Sequence, residues 1–281
     1  MHTVELTRKP IDYAAYVRRS ALESDYSTLV TEDTLVTENG VPRILYATLS
    51  GDVTKYIRQA CKNIRYVTDI RTNGLKTTSR IFGYSPRNVI RKDFCSSTSM
   101  ATEHPQEHAV ICDFGQHLAQ LYAQHFPNVY AIHEDVVQER VHEGWRIAKT
   151  PFTSGVVNKN NPLKYHFDAG NITDVLSNMV VFKRDVGGGY LACPEFDLGF
   201  EVADNTVILF DGQNILHGVT PITRYGRHAY RYSVVYYTLQ RMWSCLPITE
   251  EIARVRSVRV ARETRRAEGR VPSTLAGKRK P

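Results

Sequence analysis

Residues 165–168 read Tyr-His-Phe-Asp, which puts an imidazole and a carboxylate two positions apart in a stretch typical of a β-strand. Because side chains alternate across a strand, His166 and Asp168 are expected to point to the same side. Short apolar runs separated by Gly- and Asn-rich turns surround them: Phe152–Val157, Val175–Phe182, Val207–Phe210 and Tyr232–Leu239. Several short strands at this spacing predict a sandwich, a barrel or a jelly roll.

A second histidine can complete a metal site with this pair. His217 lies forty-nine residues after Asp168, beyond the run Val207–Phe210 and a turn at 211–214. In a jelly roll, a strand that far along the chain can lie beside the first. Two histidines and one carboxylate form the facial triad typical of non-haem iron(II) oxygenases, which leaves positions open for a bidentate 2-oxo acid and dioxygen. A lone His-x-Asp is common in proteins that bind no metal, so the hypothesis depends on further residues.

The last apolar strand supplies a candidate partner for a 2-oxo acid. Arg231 follows His217 by fourteen residues, and Ser233 faces the same way two positions on. A guanidinium binds a carboxylate through two parallel hydrogen bonds, and a hydroxyl can add a third. The alternative is that Arg231 is a surface charge, but its apolar, Tyr-rich strand favours burial, and a buried arginine requires an anion.

Four segments resemble the oxygenase domain of the TET/J-binding-protein family. They are HFDAGN (166–171), GGGYLACPE (187–195), ADNTVILFDGQNILHG (203–218) and RYSVVYY (231–237). That family oxidises the methyl group of 5-methylpyrimidines in DNA, with iron(II) and 2-oxoglutarate on a double-stranded β-helix. The resemblance is good over 150–240 and loose in the N-terminal half.

The resemblance implies roles for individual residues. His166, Asp168 and His217 match the iron ligands, and Arg231 matches the anchor of the 2-oxoglutarate carboxylate. Asn171 matches the residue that contacts the target base, and an amide offers both a donor and an acceptor to the edge of a flipped pyrimidine. The alternative for Asn171 is a turn-capping role in a Gly-Asn pair. The chain lacks the Cys-rich zinc-binding region of the animal members.

Helical periodicity outside the β-rich core predicts helices at 54–67, 105–126 and 248–268. We therefore expect an α+β fold, a double-stranded β-helix (jelly roll) with flanking helices. We divide the chain into an N-terminal extension with a basic helix and loop packed on the core (1–92), a jelly-roll dioxygenase core (93–247) and a basic C-terminal helix and tail (248–281).

Positive charge is concentrated in two segments. Residues 251–281 hold ten Arg/Lys and three Glu, a net of +7 that equals the charge of the whole chain, and residues 54–92 hold ten Arg/Lys and one Asp. Separated charge of this kind favours a polyanion, here DNA, although solvated surface faces are the alternative. Gly74, Gly83 and Pro86 predict a loop over 71–92, where Phe82 and Tyr84 alternate with candidate phosphate-binding residues: Arg71, Lys76, Arg80, Arg87, Arg91 and Lys92.

The five cysteines are odd in number and far apart in sequence, which predicts reduced thiols and no disulfide. No apolar run approaches the ~18–20 residues that span a bilayer, and the N-terminus lacks the apolar region of a signal peptide. We therefore expect an intracellular protein, in the cytoplasm or the nucleus, with no membrane partner.

These features predict an iron(II)- and 2-oxoglutarate-dependent dioxygenase that uses molecular oxygen to hydroxylate the methyl group of 5-methylcytosine or thymine in DNA. The same chemistry on a small molecule, an amino-acid side chain or RNA is an alternative. A non-catalytic nucleic-acid-binding jelly roll with relic metal residues is another, but the intact triad together with Arg231 and Ser233 favours an enzyme.

Overall fold

The computed structural model describes residues 1–70, 76–88 and 94–269. Its α-helices are α1 (Tyr13–Tyr16), α2 (Gly51–Asn63), α3 (Ser99–Glu103), α4 (Pro105–His125), α5 (Pro127–Arg140) and α6 (Ile248–Ala267). Its strands are β1 (His2–Glu5), β2 (Thr28–Val30), β3 (Thr34–Glu38), β4 (Val41–Thr48), β5 (Val67–Ile70), β6 (Lys76–Ser85), β7 (Ser96–Ser97), β8 (Ser154–Lys159), β9 (Leu163–His166), β10 (Ser177–Arg184), β11 (Val186–Gly188), β12 (Leu191–Cys193), β13 (Leu198–Phe200), β14 (Thr206–Phe210), β15 (His217–Val219), β16 (Ile222–Arg224) and β17 (Tyr230–Tyr237).

Two mainly antiparallel sheets form the core. The larger has the order β1-β3-β4-β14-β10-β17-β8-β6-β5, with β7 paired to β6, and the smaller has the order β2-β13-β12-β15-β9. Apolar side chains from one face of the larger sheet, such as Val181 and Ile208, pack with Leu191 and Val219 of the smaller sheet. The architecture confirms the predicted jelly roll, and the mixed α+β class is confirmed as well.

Helices cover the other face of the larger sheet. Val180 and Phe182, which alternate with inward-facing residues of β10, pack against a layer that includes Ile57 of α2 and Leu118 of α4. The helices predicted at 54–67, 105–126 and 248–268 are present as α2, α4 and α6. The predicted helices did not include α5, which begins at Pro127, just after α4. Proline is tolerated at the first position of a helix, where its missing N–H costs no hydrogen bond, and Pro127 begins α5 there.

The N-terminal third of the chain is part of the larger sheet. β4 pairs with β14 and β6 pairs with β8, so strands from the predicted extension extend the catalytic core on both sides. The predicted loop over 71–92 is wrong for residues 76–85, which form β6. Gly83 does not break this strand. Its φ is +75°, and an added Cβ would lie 2.7 Å from the carbonyl oxygen of Thr153, so glycine allows two backbones to approach closely.

A disulfide joins Cys95 to Cys245 across a sequence separation of 150 residues. The prediction that all five cysteines are reduced is therefore wrong for this pair, because distance along the sequence does not prevent folding from bringing two thiols together. Cys61, Cys112 and Cys193 are free. Within the described part of the chain, the helices are too short or too polar to cross a bilayer.

The disulfide predicts a definite thiol count. Under denaturing, non-reducing conditions we expect alkylation of the three free cysteines, and after treatment with a dithiol we expect alkylation of all five. Intact-mass spectrometry of the alkylated protein distinguishes the two states. Five modified cysteines before reduction would show that Cys95 and Cys245 are not joined.

Candidate active site

Strand pairing brings the three predicted metal ligands together. His166 ends β9 and His217 begins β15, and the two residues lie opposite each other in the β9–β15 pair. Nε2 of His166 is 3.6 Å from Oδ1 of Asp168, and Nε2 of His217 is 3.9 Å from the same oxygen. One ligand atom from each residue can be chosen so that all three lie within 4.8 Å of one another. This arrangement can hold one divalent metal ion on one face.

Backbone hydrogen bonds orient both imidazole rings. Nδ1 of His166 lies 2.8 Å from the carbonyl oxygen of Lys164, and Nδ1 of His217 lies 3.0 Å from that of Ile215. Since a carbonyl can only accept, we assign the proton to Nδ1 in both rings, which leaves Nε2 with a free lone pair beside Asp168. Burial, assisted by the neighbouring His166, lowers the pKa of His217 to about 4. The His217 ring is therefore neutral at neutral pH, as metal binding requires.

Gly212 leaves room for the carboxylate of Asp168. Its carbonyl oxygen accepts a hydrogen bond of 2.8 Å from the backbone N–H of Asp168. An added Cβ at position 212 would clash with Oδ2 of Asp168, and it would lie 3.0 Å from Cγ of Asp168 and 3.4 Å from Cε1 of His217. The turn at 211–214 therefore fixes the position of Asp168 through its backbone. It can do so only because residue 212 is a glycine and has no side chain.

Glu195 supports the strand that carries His217, and sequence analysis did not identify it. The carboxylate is fully buried, and its Oε1 accepts a hydrogen bond of 2.6 Å from the N–H of Leu216. Its Oε2 lies 3.1 Å from the hydroxyl of Tyr13 and 3.3 Å from Nη1 of Arg8. Burial raises the pKa of Glu195, and the nearby Arg8 opposes that rise. A glutamate within the apolar segment GGGYLACPE was the available sequence clue.

Arg231 is a buried cation with unused hydrogen-bonding groups. Its residue surface is 1% exposed, and its Nε and Nη2 have no hydrogen-bond partner among the described residues. Burial lowers its pKa to about 10. An unpaired buried charge is costly, so the arrangement fits an anion that is bound during function. Gly189 provides space for the guanidinium, since a Cβ on this residue would lie 3.0 Å from Nε of Arg231.

The three metal ligands and Ser233 line one cavity of about 390 Å³. Arg231 is not among the described residues that line this cavity, but it lies on the same face of β17 as Ser233 by strand alternation. The walls carry apolar side chains, among them Leu163, Phe210 and Val219. The residues therefore fit iron(II) and 2-oxoglutarate, because two imidazoles and one carboxylate share a mostly apolar chamber, and a buried guanidinium lies on the same face of β17 as Ser233.

Asn171 also lines this cavity. Its side-chain nitrogen lies 3.3 Å from the hydroxyl oxygen of Ser177, and its backbone carbonyl accepts a hydrogen bond from the side chain of Gln213. Within the described part of the chain, nothing donates to the oxygen of its side-chain amide. These contacts hold Asn171 at the cavity wall, and they match neither a helix cap nor a solvent-exposed turn.

Of the six predicted phosphate-binding residues, the structure describes the side chains of two. Arg80 is 6% exposed and forms a 2.6 Å ion pair with Glu103, and Arg87 binds the carboxylate of Glu251 through two nitrogens. Both guanidinium groups are engaged within the protein, so we do not carry them forward as DNA contacts. Lys76 begins β6, but its side chain lies outside the described part of the structure. Three further residues lie outside it entirely: Arg71, Arg91 and Lys92. For these four residues the role stays a prediction.

A jelly roll that joins a His-x-Asp…His cluster to a buried arginine defines the class of the 2-oxoglutarate/iron(II) oxygenases, and this protein is such an enzyme. The family model Tet_JBP, described as the oxygenase domain of the 2OGFeDO superfamily, matches residues 81–240. That match covers more than half of the chain, and the chain belongs to the TET/JBP family.

Individual relatives are distant. The bifunctional helicase and thymine dioxygenase JBP2 of Leishmania braziliensis is 27% identical over 122 residues, which are 43% of this chain and 11% of that protein. The chain thus spans about a tenth of that relative. The structure of NgTET1 in complex with 5mC DNA has a TM-score of 0.55 at 15% identity, covers 78% of this chain and 84% of its own, and shows a shared fold. A 2OG-Fe(II) oxygenase-family oxidoreductase from Burkholderia pseudomallei is less similar, with a TM-score of 0.43 at 11% identity over 69% of this chain and 84% of that one.

Replacing Gly212 with alanine should weaken metal binding. The added methyl group displaces the carboxylate of Asp168, and loss of support around a ligand typically costs about 10–100-fold in metal affinity. Anaerobic calorimetric titration with iron(II) measures the effect. Gly51→Ala is the matched control, because a Cβ there meets nothing within 4 Å. Equal iron affinity in the two variants would contradict the role given to Gly212.

Replacing Arg231 with methionine should weaken the binding of 2-oxoglutarate without weakening the fold. Removing an unpaired buried cation leaves the melting temperature of the ligand-free protein unchanged or raised. The Kd for 2-oxoglutarate should rise at least about 30-fold, since breaking a buried charge pair costs about 2–5 kcal/mol. Thermal melts with and without 2-oxoglutarate measure both quantities. A variant that is destabilised but still binds 2-oxoglutarate normally would refute the assignment.

Proposed function

We propose that this enzyme hydroxylates the methyl group of a 5-methylpyrimidine, 5-methylcytosine or thymine, in DNA. The observation that carries the proposal is a single cavity that joins the metal triad, the cosubstrate face of β17 and the amide of Asn171. Two relatives support DNA as the substrate, because one is a thymine dioxygenase and the other was solved with 5mC DNA.

The size of the cavity supports a flipped base as the substrate. Its volume of about 390 Å³ lies near the lower end of the ~300–1,000 Å³ typical of small-ligand pockets. Such a space has room for a 2-oxo acid and one small planar group, but a base pair within a duplex is too large. A base in a duplex must therefore rotate out of the stack to reach the metal.

Each residue has a proposed part in the reaction. His166, Asp168 and His217 would hold iron(II), and Arg231 with Ser233 would bind the distal carboxylate of 2-oxoglutarate. When bound, iron(II) supplies the oxidising chemistry with 2-oxoglutarate and dioxygen. The Nδ1 hydrogen bonds fix the direction of both imidazole rings, so that no ligand must reorient during turnover.

The cavity walls would control what reacts. Phe210 and Val219 exclude water, which protects a reactive centre from side reactions. Asn171 would orient the base, because the oxygen of its amide can accept a hydrogen bond from the exocyclic amine of a cytosine or from the ring N–H of a thymine. The exocyclic amine and the ring N–H occupy different positions on the base edge, so this contact would place the two methyl groups differently, and thymine and 5-methylcytosine must be compared directly.

The proposal is tested by direct product analysis. The purified protein is incubated with iron(II), ascorbate, 2-oxoglutarate and duplex DNA that contains 5-methylcytosine, and a second duplex contains thymine as its sole 5-methylpyrimidine. Nucleosides are then identified by mass spectrometry. We expect a hydroxymethyl nucleoside from at least one duplex, and no product with the His166→Ala variant.

Measuring succinate in the same reactions separates the two parts of the proposal. Succinate without a modified base would keep the enzyme class and overturn DNA as the substrate. Small molecules, amino-acid side chains and RNA then become the substrates to examine. Absence of succinate under every condition would contradict the assignment of His166, Asp168 and His217 as iron ligands.

A further inference from the structure

Helix α6 extends beyond the body of the protein. Its 20 residues correspond to a length of about 30 Å. Glu251, in the first turn, is its one buried residue, and every residue from Arg259 to the end of the helix is exposed. Most helical stability in proteins comes from packing an apolar face, and the outer half of α6 makes no such contribution. Its side chains therefore face a partner or solvent.

A stripe of arginines follows the outer half of this helix, and we call Arg256, Arg259, Arg262 and Arg266 the arginine stripe. Their spacing of three and four residues puts them on one side of the helix. None of the four side chains forms a hydrogen bond or an ion pair with any part of the chain that the structure describes. Glu263 lies on the same side but likewise has no ion pair there.

The base of α6 is firmly attached to the core. The carboxylate of Glu251 accepts hydrogen bonds from the guanidinium of Arg87, from the N–H of Cys95 at 3.0 Å and from the N–H of Leu246 at 3.3 Å. The Cys95–Cys245 disulfide joins the same two segments covalently. The arginine stripe is therefore presented in a fixed direction, which lowers the entropy cost of binding a rigid partner.

The distance from the cavity wall to the start of helix α6 is limited by the chain that joins them. Leu239 lines the cavity, and Gln240 donates a hydrogen bond of 2.9 Å to the carbonyl of Gly170, next to Asn171. Pro247, the residue before α6, lies eight positions after Leu239. At about 3.3–3.6 Å per residue, the helix must begin within roughly 30 Å of the cavity wall. That distance equals about nine base pairs of duplex.

We propose that the arginine stripe of α6 contacts the phosphate backbone of the duplex that flanks the reactive base. The stripe spans eleven residues, or about 15 Å of helix, and the same length of B-DNA carries about nine phosphate charges. Guanidinium groups bind phosphates bidentately, and within the described part of the chain no carboxylate forms an ion pair with these four. The identity of the polyanion rests on the proposed function, and the contact surface is an addition to it.

The test compares two triple variants of equal charge. Arg259, Arg262 and Arg266 are replaced with glutamine in one variant, since glutamine keeps a high helix propensity. The control variant replaces Arg184, Arg224 and Arg227 with glutamine. These are exposed as well, and Arg184 pairs with Tyr230 at the opposite end of β17 from the cavity-lining Tyr237. Circular dichroism and thermal melting confirm that both variants are folded.

Affinity for a fluorescein-labelled duplex of 25 base pairs is measured by anisotropy over a series of salt concentrations. For the α6 variant we expect a weaker Kd and a slope of log K against log salt that is smaller by about 2–3, at about 0.9 per lost phosphate contact. The control variant should keep the slope of the unmodified protein. Equal losses in both variants would show a general charge effect, and no loss in the α6 variant would remove the helix from the interface. Either result overturns the proposal.

Two further measurements distinguish this proposal from the proposed function. His166→Ala should bind the duplex as the unmodified protein does, because the stripe lies outside the metal site. If the duplex binds through α6 but no modified base forms, DNA is overturned as the catalytic substrate, and the proposed contact surface on α6 is retained. An unmodified protein that binds no duplex would overturn both. Loss of binding to anionic lipid vesicles in the α6 variant, with unchanged duplex binding, would assign the stripe to a membrane surface and contradict the proposal.

Discussion

The pairing of β15 with β9 is the constraint on which the site depends. It places His217 opposite His166, and Asp168 follows two residues later, so one strand pair determines the positions of all three ligands. This pair lies at the edge of the smaller sheet, where unpaired strands are prone to slip. Residues 18–20 cover that edge through hydrogen bonds to Tyr165, and Glu195 holds the neighbouring strand from behind. The N-terminal segment therefore helps to hold the metal ligands in place.

A second constraint is the uncompensated charge of Arg231. A fully apolar residue at this position would pack at lower cost, and Gly189 would not be needed to make room for a guanidinium. The protein keeps both features, with Arg231 two residues before the cavity-lining Ser233 on β17. The buried charge of Arg231 lowers the stability of the fold, but it provides a strong, geometrically selective anion site, as is common where function and packing conflict.

Local patterns in the sequence account for what could be predicted. Alternation places His166 with Asp168 and Arg231 with Ser233, and helical periodicity finds α2, α4 and α6. The missed features depend on contacts between distant segments. Gly212 matters because Asp168 approaches it, β6 forms because Gly83 meets Thr153, and Cys95 meets Cys245 after the chain has folded. Glu195 is similar, since its partners include Arg8 and Tyr13, and no spacing rule connects residues that far apart.

The disulfide has a topological consequence for the catalytic unit. Residues 95 and 245 close a covalent ring that contains His166, Asp168, His217 and Arg231. A single break of the backbone inside the ring, for example in the turn at 211–214, leaves two pieces that cannot diffuse apart. The strands that carry the ligands would still be paired, and the cut ends would stay near each other. The four site residues would therefore stay within one molecule after such a cut.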